Sequence, residues 1–178
     1  MIFHETPLKN AYYVNVDKVE DERGFFARVW CRETFAENGL ALEMVQGSIS
    51  FNKKKGTLRG MHFQVPPYAE TKIVRCTQGR LFDVILDLRP GSVTYKQWHG
   101  VELTAKNRKM LVIPPGFAHG FQTLEDDTEV FYLISEFYHP EAARGVRWND
   151  QAFAIKWPET EQRIISQRDQ QWPNYVQE

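Results

Sequence analysis

Short apolar runs separated by turn residues fill the middle of this chain, and they limit its possible folds more than any other feature. Residues 81–88 form a nearly continuous apolar run that ends at a Pro-Gly turn. Residues 101–103 and 110–113 are two further runs on either side of a polar turn, and residues 129–138 are predicted to form the longest strand. This density of strands, with little helix, predicts an all-β antiparallel sandwich or jelly roll.

Helical signals are confined to two places. Residues 32–38 are predicted to form a short helix that stops at Gly39, and the loop-like tail after Trp157 has room for one more. A chain of 178 residues can bury a core without disulfides or metals, so a single domain over residues 1–178 is predicted.

Charge and cysteine content exclude several classes of function. The formal net charge is -1, which does not favour nucleic acid or an anionic membrane as a partner. Cys31 and Cys76 stand apart with no metal-ligand spacing, so free thiols in a reducing cytoplasm are predicted. The N-terminus has neither the basic nor the apolar segment of a secretory signal, and no stretch is long enough to span a membrane.

Two histidines in glycine-containing motifs are the candidates for chemistry. His62 lies in residues 58–64 and His119 in residues 113–121, where PPGFAH is similar to the second motif of the cupin jelly rolls. Metal-binding cupins have a His-x-His pair in their first motif, but here that position reads His62-Phe63-Gln64, and an amide is a poor transition-metal ligand. Proton transfer is therefore favoured, and a metal site of His62, His119 and Glu70 is the alternative. His4, His99 and His139 are predicted to be surface residues.

Taken together, seven segments resemble the dTDP-4-dehydrorhamnose 3,5-epimerases, the metal-free sugar-nucleotide epimerases of the cupin superfamily. The resemblance extends from about residue 14 to 173, and the order and spacing of the segments make it specific. The segments are residues 21–26 (DERGFF), 58–64 (LRGMHFQ), 72–76 (KIVRC), 82–84 (FDV), 114–121 (PPGFAHGF), 148–150 (WND) and 166–169 (SQRD).

This resemblance implies a cupin-type jelly roll that inverts C3 and C5 of a nucleotide-linked 4-keto-6-deoxyhexose, most simply dTDP-4-dehydro-6-deoxy-D-glucose. The hydrogens on C3 and C5 are acidified by the C4 ketone, so the reaction needs a base, an acid on the opposite face and a positive group near O4. No cofactor or metal is implied. The alternatives are a mono-epimerase acting at C3 or C5 only, another nucleotide, or a metal-dependent cupin enzyme.

By the same resemblance, four residues are catalytic. His62 is the base and Asp169 its partner, as in other His-carboxylate pairs. Tyr132 is the acid on the opposite face, and Lys72 lies near O4. The alternative, non-catalytic roles are a capping role for Asp169, a core position for Tyr132 and a solvated position for Lys72 beside Glu70.

The resemblance also implies seven substrate-binding residues and a homodimer. An N-terminal arm of about residues 1–45 is expected at the dimer interface, and a tail of about residues 158–178 carries Asp169. Arg59 is expected to hold the diphosphate and His119 with Asp83 to form a supporting pair, catalytic or structural. The binding residues are Arg59, Gln46, His119, Asp83, Tyr138 and, from the arm of the neighbouring subunit, Arg23 and Phe26.

Strand parity gives a check that is independent of the family. Side chains alternate between the faces of a strand, so Tyr132 and Tyr138 can share one cavity while Leu133 points away. Arg59 and His62 have opposite parity, so both can reach the cavity only if Gly60 bulges the strand.

Three residues depart from the pattern of the family. Arg28 stands where an acid is usual, Ser48 where an asparagine is frequent, and Leu133 where a lysine is common. Because of Arg28, the identity of the nucleotide is left open. Because of Ser48, it is left open whether one or two carbon centres are inverted.

Overall fold

A computed structural model describes residues 1–175, and nearly all of its regular structure is antiparallel β-sheet. Of the helices in this part of the chain, none has the length and apolar character needed to cross a membrane. The elements in chain order are β1 (Ile2–Glu5), β2 (Tyr12–Asn15), β3 (Lys18–Asp21), β4 (Gly24–Ala27), α1 (Arg32–Glu37), β5 (Gln46–Asn52), β6 (Thr57–Gln64), β7 (Lys72–Gln78), β8 (Arg80–Asp87), β9 (Trp98–Thr104), β10 (Met110–Ile113), β11 (Phe117–Thr123), β12 (Thr128–Ile134), β13 (Ala143–Gly145), β14 (Ile164–Ile165) and α2 (Gln167–Gln170).

Two sheets face each other. The first has the strand order β1-β2-β10-β7-β12-β5, and the second has the order β13-β6-β11-β8-β9. The short strand β14 adds to the start of β6 as a parallel neighbour, which fastens the C-terminal tail to the second sheet. The two-sheet arrangement confirms the all-β sandwich prediction.

Three apolar clusters hold the layers together. Between the sheets, alternate residues of both sheets pack into one core that includes Val74, Ile85 and Phe121. The outer face of the first sheet is covered by α1, whose Phe35 is fully buried, a burial worth about 1.5–3 kcal/mol. The outer face of the second sheet is covered by the segment after β13, through Val146 and Phe153.

Most predicted strands are present, but the longest one ends early. Within the predicted run of residues 129–138 the strand ends at Ile134, because at the next pair a side-chain oxygen replaces one of the two backbone acceptors of the ladder. Ser135 exchanges two bonds with Thr71, from Ser135 N to Thr71 O at 3.1 Å and from Thr71 N to Ser135 Oγ at 2.8 Å. Glu136 Oε1 then accepts from Phe137 N at 2.7 Å. The structure also has β5, a strand that the sequence analysis did not predict.

The prediction of a surface position for His99 is wrong. Its ring is half-buried on β9 and shares a hydrogen bond with Tyr13 Oη on β2, and burial lowers its pKa. The helix prediction is confirmed, because α1 covers Arg32–Glu37 and Gly39 follows with a φ of +78°.

A two-stranded hairpin of β3 and β4 forms a sheet of its own, outside both large sheets. The hairpin carries two predicted binding residues, Arg23 in its turn, whose side chain is 84% exposed, and Phe26 on β4, which is 70% exposed. The guanidinium of Arg23 is paired with the carboxylate of Asp21 at the turn. Neither Arg23 nor Phe26 lines the cavity of its own chain.

Candidate active site

One cavity of about 470 Å³ lies between strands of both sheets and the C-terminal tail. It brings together all four predicted catalytic residues and four of the predicted binding residues. Asp83 lies behind His119, outside the lining. The predicted site residues that line the cavity are Gln46, Arg59, His62, Lys72, His119, Tyr132, Tyr138 and Asp169.

His62 and Asp169 form a His-carboxylate pair on one wall of the cavity. His62 Nε2 lies 2.7 Å from Asp169 Oδ1, and Asp169 Oδ2 accepts a hydrogen bond from the backbone N–H of Gly60 at 3.2 Å. Burial alone raises the pKa of Asp169, but the hydrogen bond and charge of His62 and the Gly60 N–H outweigh it, so the pKa is lowered. The carboxylate is therefore held ionised beside an imidazole that is open to the cavity.

The position of Asp169 depends on local capping. Ser166 precedes α2 with an extended backbone, and its Oγ accepts from the backbone N–H of Asp169 at 3.1 Å. The strand β14, just before Ser166, is hydrogen-bonded to Thr57 and Leu58 at the start of β6. The tail thus delivers its carboxylate to the strand that carries the imidazole.

A bulge at Gly60 lets Arg59 and His62 face the same cavity. Gly60 has a φ of +140°, and the register between β6 and β11 shifts between His119 and Phe121. A Cβ on Gly60 would lie 2.6 Å from the Cα of Gly120, so only glycine fits this position. The predicted bulge is confirmed.

His119 and Asp83 form a second pair, buried beside the first. His119 is opposite His62 in the ladder of β6 and β11, and its Nε2 lies 3.0 Å and 2.9 Å from the two carboxylate oxygens of Asp83. Their side chains are 5% and 0% exposed. Asp83 comes from β8, the next strand of the sheet.

Tyr132 faces the cavity next to the buried pair. Its ring centroid lies 6.1 Å from that of His119, at an interplanar angle of 72°. Burial, and then the charge of Asp83, raise the pKa of the phenol far above its usual value, and the charge of Arg59 opposes them. Tyr132 is therefore a protonated phenol at neutral pH. Leu133 packs into the opposite cluster with Phe35, as parity predicts.

Lys72 adds a positive charge to the cavity. Its Nζ lies 2.9 Å from Glu70 Oε1 and donates to the carbonyl of His62 at 3.3 Å. The alternative, non-catalytic prediction of a solvated Lys72 is wrong, because the side chain is only 14% exposed. Lys72 is thereby tied to the strand that carries His62.

Arginines line the mouth of the cavity, which suits an anionic ligand. Arg59 Nε donates to Asn52 Oδ1 at 2.8 Å, which directs the guanidinium along the wall. Arg144 and Arg168 also line the cavity, and the sequence analysis did not select them. The planar fork of arginine suits phosphate oxygens.

The geometry does not favour the alternative metal site of His62, His119 and Glu70. Within residues 1–175, no three His, Cys, Asp or Glu side chains come together in a way that suits a metal ion. The Nε2 atoms of His62 and His119 each face a carboxylate of their own pair.

Trp172 is a lining residue that the sequence analysis missed. It follows α2 in the tail, and its ring centroid lies 6.2 Å from that of His62. Its place three residues after Asp169 was the only signal in the sequence.

Comparisons with known proteins agree with this geometry. The family described as dTDP-4-dehydrorhamnose 3,5-epimerase matches residues 5–177. A dTDP-4-dehydrorhamnose 3,5-epimerase of Sinorhizobium fredii (strain NBRC 101917 / NGR234) is 39% identical over 174 residues, 98% of this chain and 89% of the relative.

Two solved structures share the fold. The dTDP-4-dehydrorhamnose 3,5-epimerase of Bacillus anthracis, with TDP and PPi bound, has a TM-score of 0.94 at 40% identity and covers 98% of this chain and 99% of its own. The dTDP-6-deoxy-D-glucose-3,5-epimerase of Legionella pneumophila, in complex with dTDP-4-keto-L-rhamnose, has a TM-score of 0.89 at 35% identity and covers 94% and 89%. The predicted cupin-type jelly roll is confirmed, and the chain belongs to the dTDP-4-dehydrorhamnose 3,5-epimerase family.

Proposed function

We propose that this protein inverts C3 and C5 of dTDP-4-dehydro-6-deoxy-D-glucose and so forms dTDP-4-dehydro-L-rhamnose. The observation that carries the proposal is the His62–Asp169 pair at 2.7 Å, open to a cavity that also contains the protonated phenol of Tyr132. Family membership and the dTDP-sugar in the Legionella structure support the same reaction.

His62 is the proposed base. Its Nε2 is engaged by Asp169, so Nδ1 is the nitrogen that accepts the proton from C3 or C5. The electron pair of the broken C–H bond moves toward C4, and an enolate forms with its negative charge on O4. Asp169 stabilises the imidazolium and fixes the ring orientation, as in other His-carboxylate pairs.

Lys72 and Tyr132 complete the proposed cycle. The ammonium of Lys72, whose side chain is 14% exposed, stabilises the charge on O4. The phenol of Tyr132 then donates its proton to the carbon from the face opposite His62, which inverts the centre. Exchange with solvent restores the imidazole and the phenol, so hydrogen from water enters the product.

The binding residues are assigned by chemistry and position. Arg59 at the cavity wall is proposed to hold the diphosphate, and Gln46 and Tyr138 to bind the sugar and the nucleotide. His119 with Asp83 is proposed to support Tyr132 from behind.

A homodimer is also proposed. The projecting hairpin of β3 and β4 exposes an arginine and a phenylalanine away from the cavity of its own chain. In a dimer, Arg23 and Phe26 can reach the nucleotide of the neighbouring subunit. Light scattering tests this assembly, and a monomeric mass would contradict it.

The experiment that tests the reaction follows deuterium in D₂O. Purified protein, with chelator and without added cofactor, is mixed with dTDP-4-dehydro-6-deoxy-D-glucose and followed by NMR. Deuterium at both C3 and C5 is expected, and a folded protein that gives no incorporation would contradict the proposal.

A mono-epimerase is the second candidate, because Ser48, one of the residues that depart from the family pattern, lines the cavity. A mono-epimerase would incorporate deuterium at only one of the two carbons, C3 or C5. Loss of incorporation with chelator would instead favour the metal-dependent alternative.

A further inference from the structure

We propose that Trp172 is a positioning residue for the His62–Asp169 pair, held in place by the absence of a side chain at Gly145. The inference rests on the proposed function, since it concerns how the proposed base is oriented. The inference is based on the position of Trp172, which lies next to both His62 and Gly145 in the fold.

The indole is fixed against the strand next to His62. Gly145 on β13 is the ladder partner of His62 on β6. A Cβ on Gly145 would lie 2.3 Å, 2.5 Å and 2.6 Å from Cε2, Cδ2 and Nε1 of Trp172. Gly145 does not have a positive φ, so its backbone accepts alanine and only the indole excludes a side chain there.

Contacts on the other side complete the position of the indole. The indole and the imidazole of His62 meet edge to face, at 6.2 Å between centroids and 65° between planes, and Arg168 Cζ lies over the indole at 5.5 Å from its centroid. The tail is fastened by Arg147, which donates to the carbonyls of Gln170 at 3.2 Å and Pro173 at 3.3 Å. The indole is thus a rigid wall against which His62 rests.

The indole N–H gives the second part of the argument. Nε1 of Trp172 is buried and has no hydrogen-bond partner of good geometry among residues 1–175. A contribution from the Trp172 side chain is among those that lower the pKa of Asp169. A buried donor near an anion favours the ionised form that His62 needs as its partner.

The expected consequence is loss of orientation rather than loss of substrate. Trp172→Ala frees the imidazole and lets water reach Asp169, so kcat falls about 10- to 100-fold while KM changes little, because a misplacement of about 1 Å costs up to about 10²-fold. Trp172→Phe keeps a ring but removes the N–H, so its loss of kcat is smaller. Gly145→Ala pushes the indole away and is expected to resemble Trp172→Ala.

The matched control is Trp148→Phe. Trp148 also lies under an arginine, with Arg163 at 4.8 Å, and it does not line the cavity. Its kcat and KM are expected to stay at the wild-type values.

A readout that does not depend on activity separates this inference from the proposed function. The low-field proton resonance of the His62 ring N–H, assigned by its loss in His62→Asn, reports the hydrogen bond to Asp169. It should shift or broaden in Trp172→Ala and Gly145→Ala and persist in Trp148→Phe, even if the substrate has been assigned wrongly. An unchanged resonance in folded Trp172→Ala or Gly145→Ala overturns the inference, as does a rise in KM with kcat retained.

Discussion

The two His-carboxylate pairs differ in access far more than in geometry. His62–Asp169 and His119–Asp83 lie opposite each other in one ladder, at 2.7 Å and 2.9 Å respectively. The side chain of His62 is 42% exposed and that of His119 only 5% exposed. Both imidazoles line the cavity and both have a hydrogen-bonded carboxylate, so neither feature separates the proposed base from the other histidine. The exposed fraction of the side chain is what differs between them.

Their carboxylates also have different origins. Asp83 is on the strand next to His119, so the sheet itself fixes that pair. Asp169 comes from the tail, 107 residues away from His62 in sequence. The charge of Asp83 in the buried pair raises the pKa of Tyr132, and the open pair is the one proposed to exchange protons with the substrate.

The largest expected effect comes from removing the open imidazole. His62→Asn should lower deuterium incorporation at both C3 and C5 by about 10²- to 10⁴-fold, since it removes the proposed base for both carbons. NMR of the sugar measures the exchange, and the melting temperature should change little because the ring is half-exposed. Deuterium exchange at the wild-type rate in this variant would show that a residue other than His62 is the base.

Removing the partner of the open imidazole should have a similar but smaller effect. Asp169→Asn keeps the shape of the side chain but loses the charge that stabilises the imidazolium, and kcat should fall by up to about 10⁴-fold. Steady-state kinetics measures it, and Ser166→Ala, which removes only the cap of α2, is the milder control. Equal losses in the two variants would indicate that the tail position matters and the charge does not.

Changing the acid should separate proton removal from inversion. Tyr132→Phe leaves His62 and Asp169 in place, so exchange should continue while inversion slows about 10²-fold or more. Deuterium uptake and product formation, followed in the same sample, give the ratio of proton exchange to inversion. If both rates fall together, Tyr132 is required for proton removal as well.

The buried pair should act through the phenol. Asp83→Asn removes a charge that raises the pKa of Tyr132, although burial, the larger cause, remains. The phenol should become a stronger acid than in the wild type, but burial should still keep it protonated at neutral pH, so inversion should persist. The inversion rates of Asp83→Asn and Tyr132→Phe at neutral pH measure this, and a loss in Asp83→Asn as large as that in Tyr132→Phe would mean that Asp83 does more than tune the phenol.

The smallest effect concerns stability. The pKa of Asp169 is lowered in the folded protein, so its contribution to the free energy of unfolding is present above its unfolded pKa and is lost as the pH falls through the folded value. Urea unfolding of wild type and Asp169→Asn should therefore differ at neutral pH and converge in acid. A difference that is constant with pH would contradict the linkage.

The sequence predicted the fold through periodicity and turn residues, and it predicted one local irregularity. The opposite parity of Arg59 and His62 required a bulge, and Gly60 has it. The end of β12 could not be predicted, because the apolar alternation continues past Ile134 while the side chain of Ser135 replaces the backbone acceptor for Thr71 N.

The site was less visible from the sequence. No local pattern connects Asp169 to His62, and only resemblance to the family related them. Trp172 was missed because its role depends on Gly145, a contact between segments that are far apart in sequence. Contacts of this kind arise from packing, which the order of residues does not reveal.

The most direct test compares the two imidazoles in one experiment. Deuterium uptake at C3 and C5 is followed in D₂O for His62→Asn and His119→Asn at equal concentrations of folded protein. The account predicts that His62→Asn abolishes uptake at both carbons and that His119→Asn retains it at a reduced rate. Retained uptake in His62→Asn with complete loss in His119→Asn would contradict it.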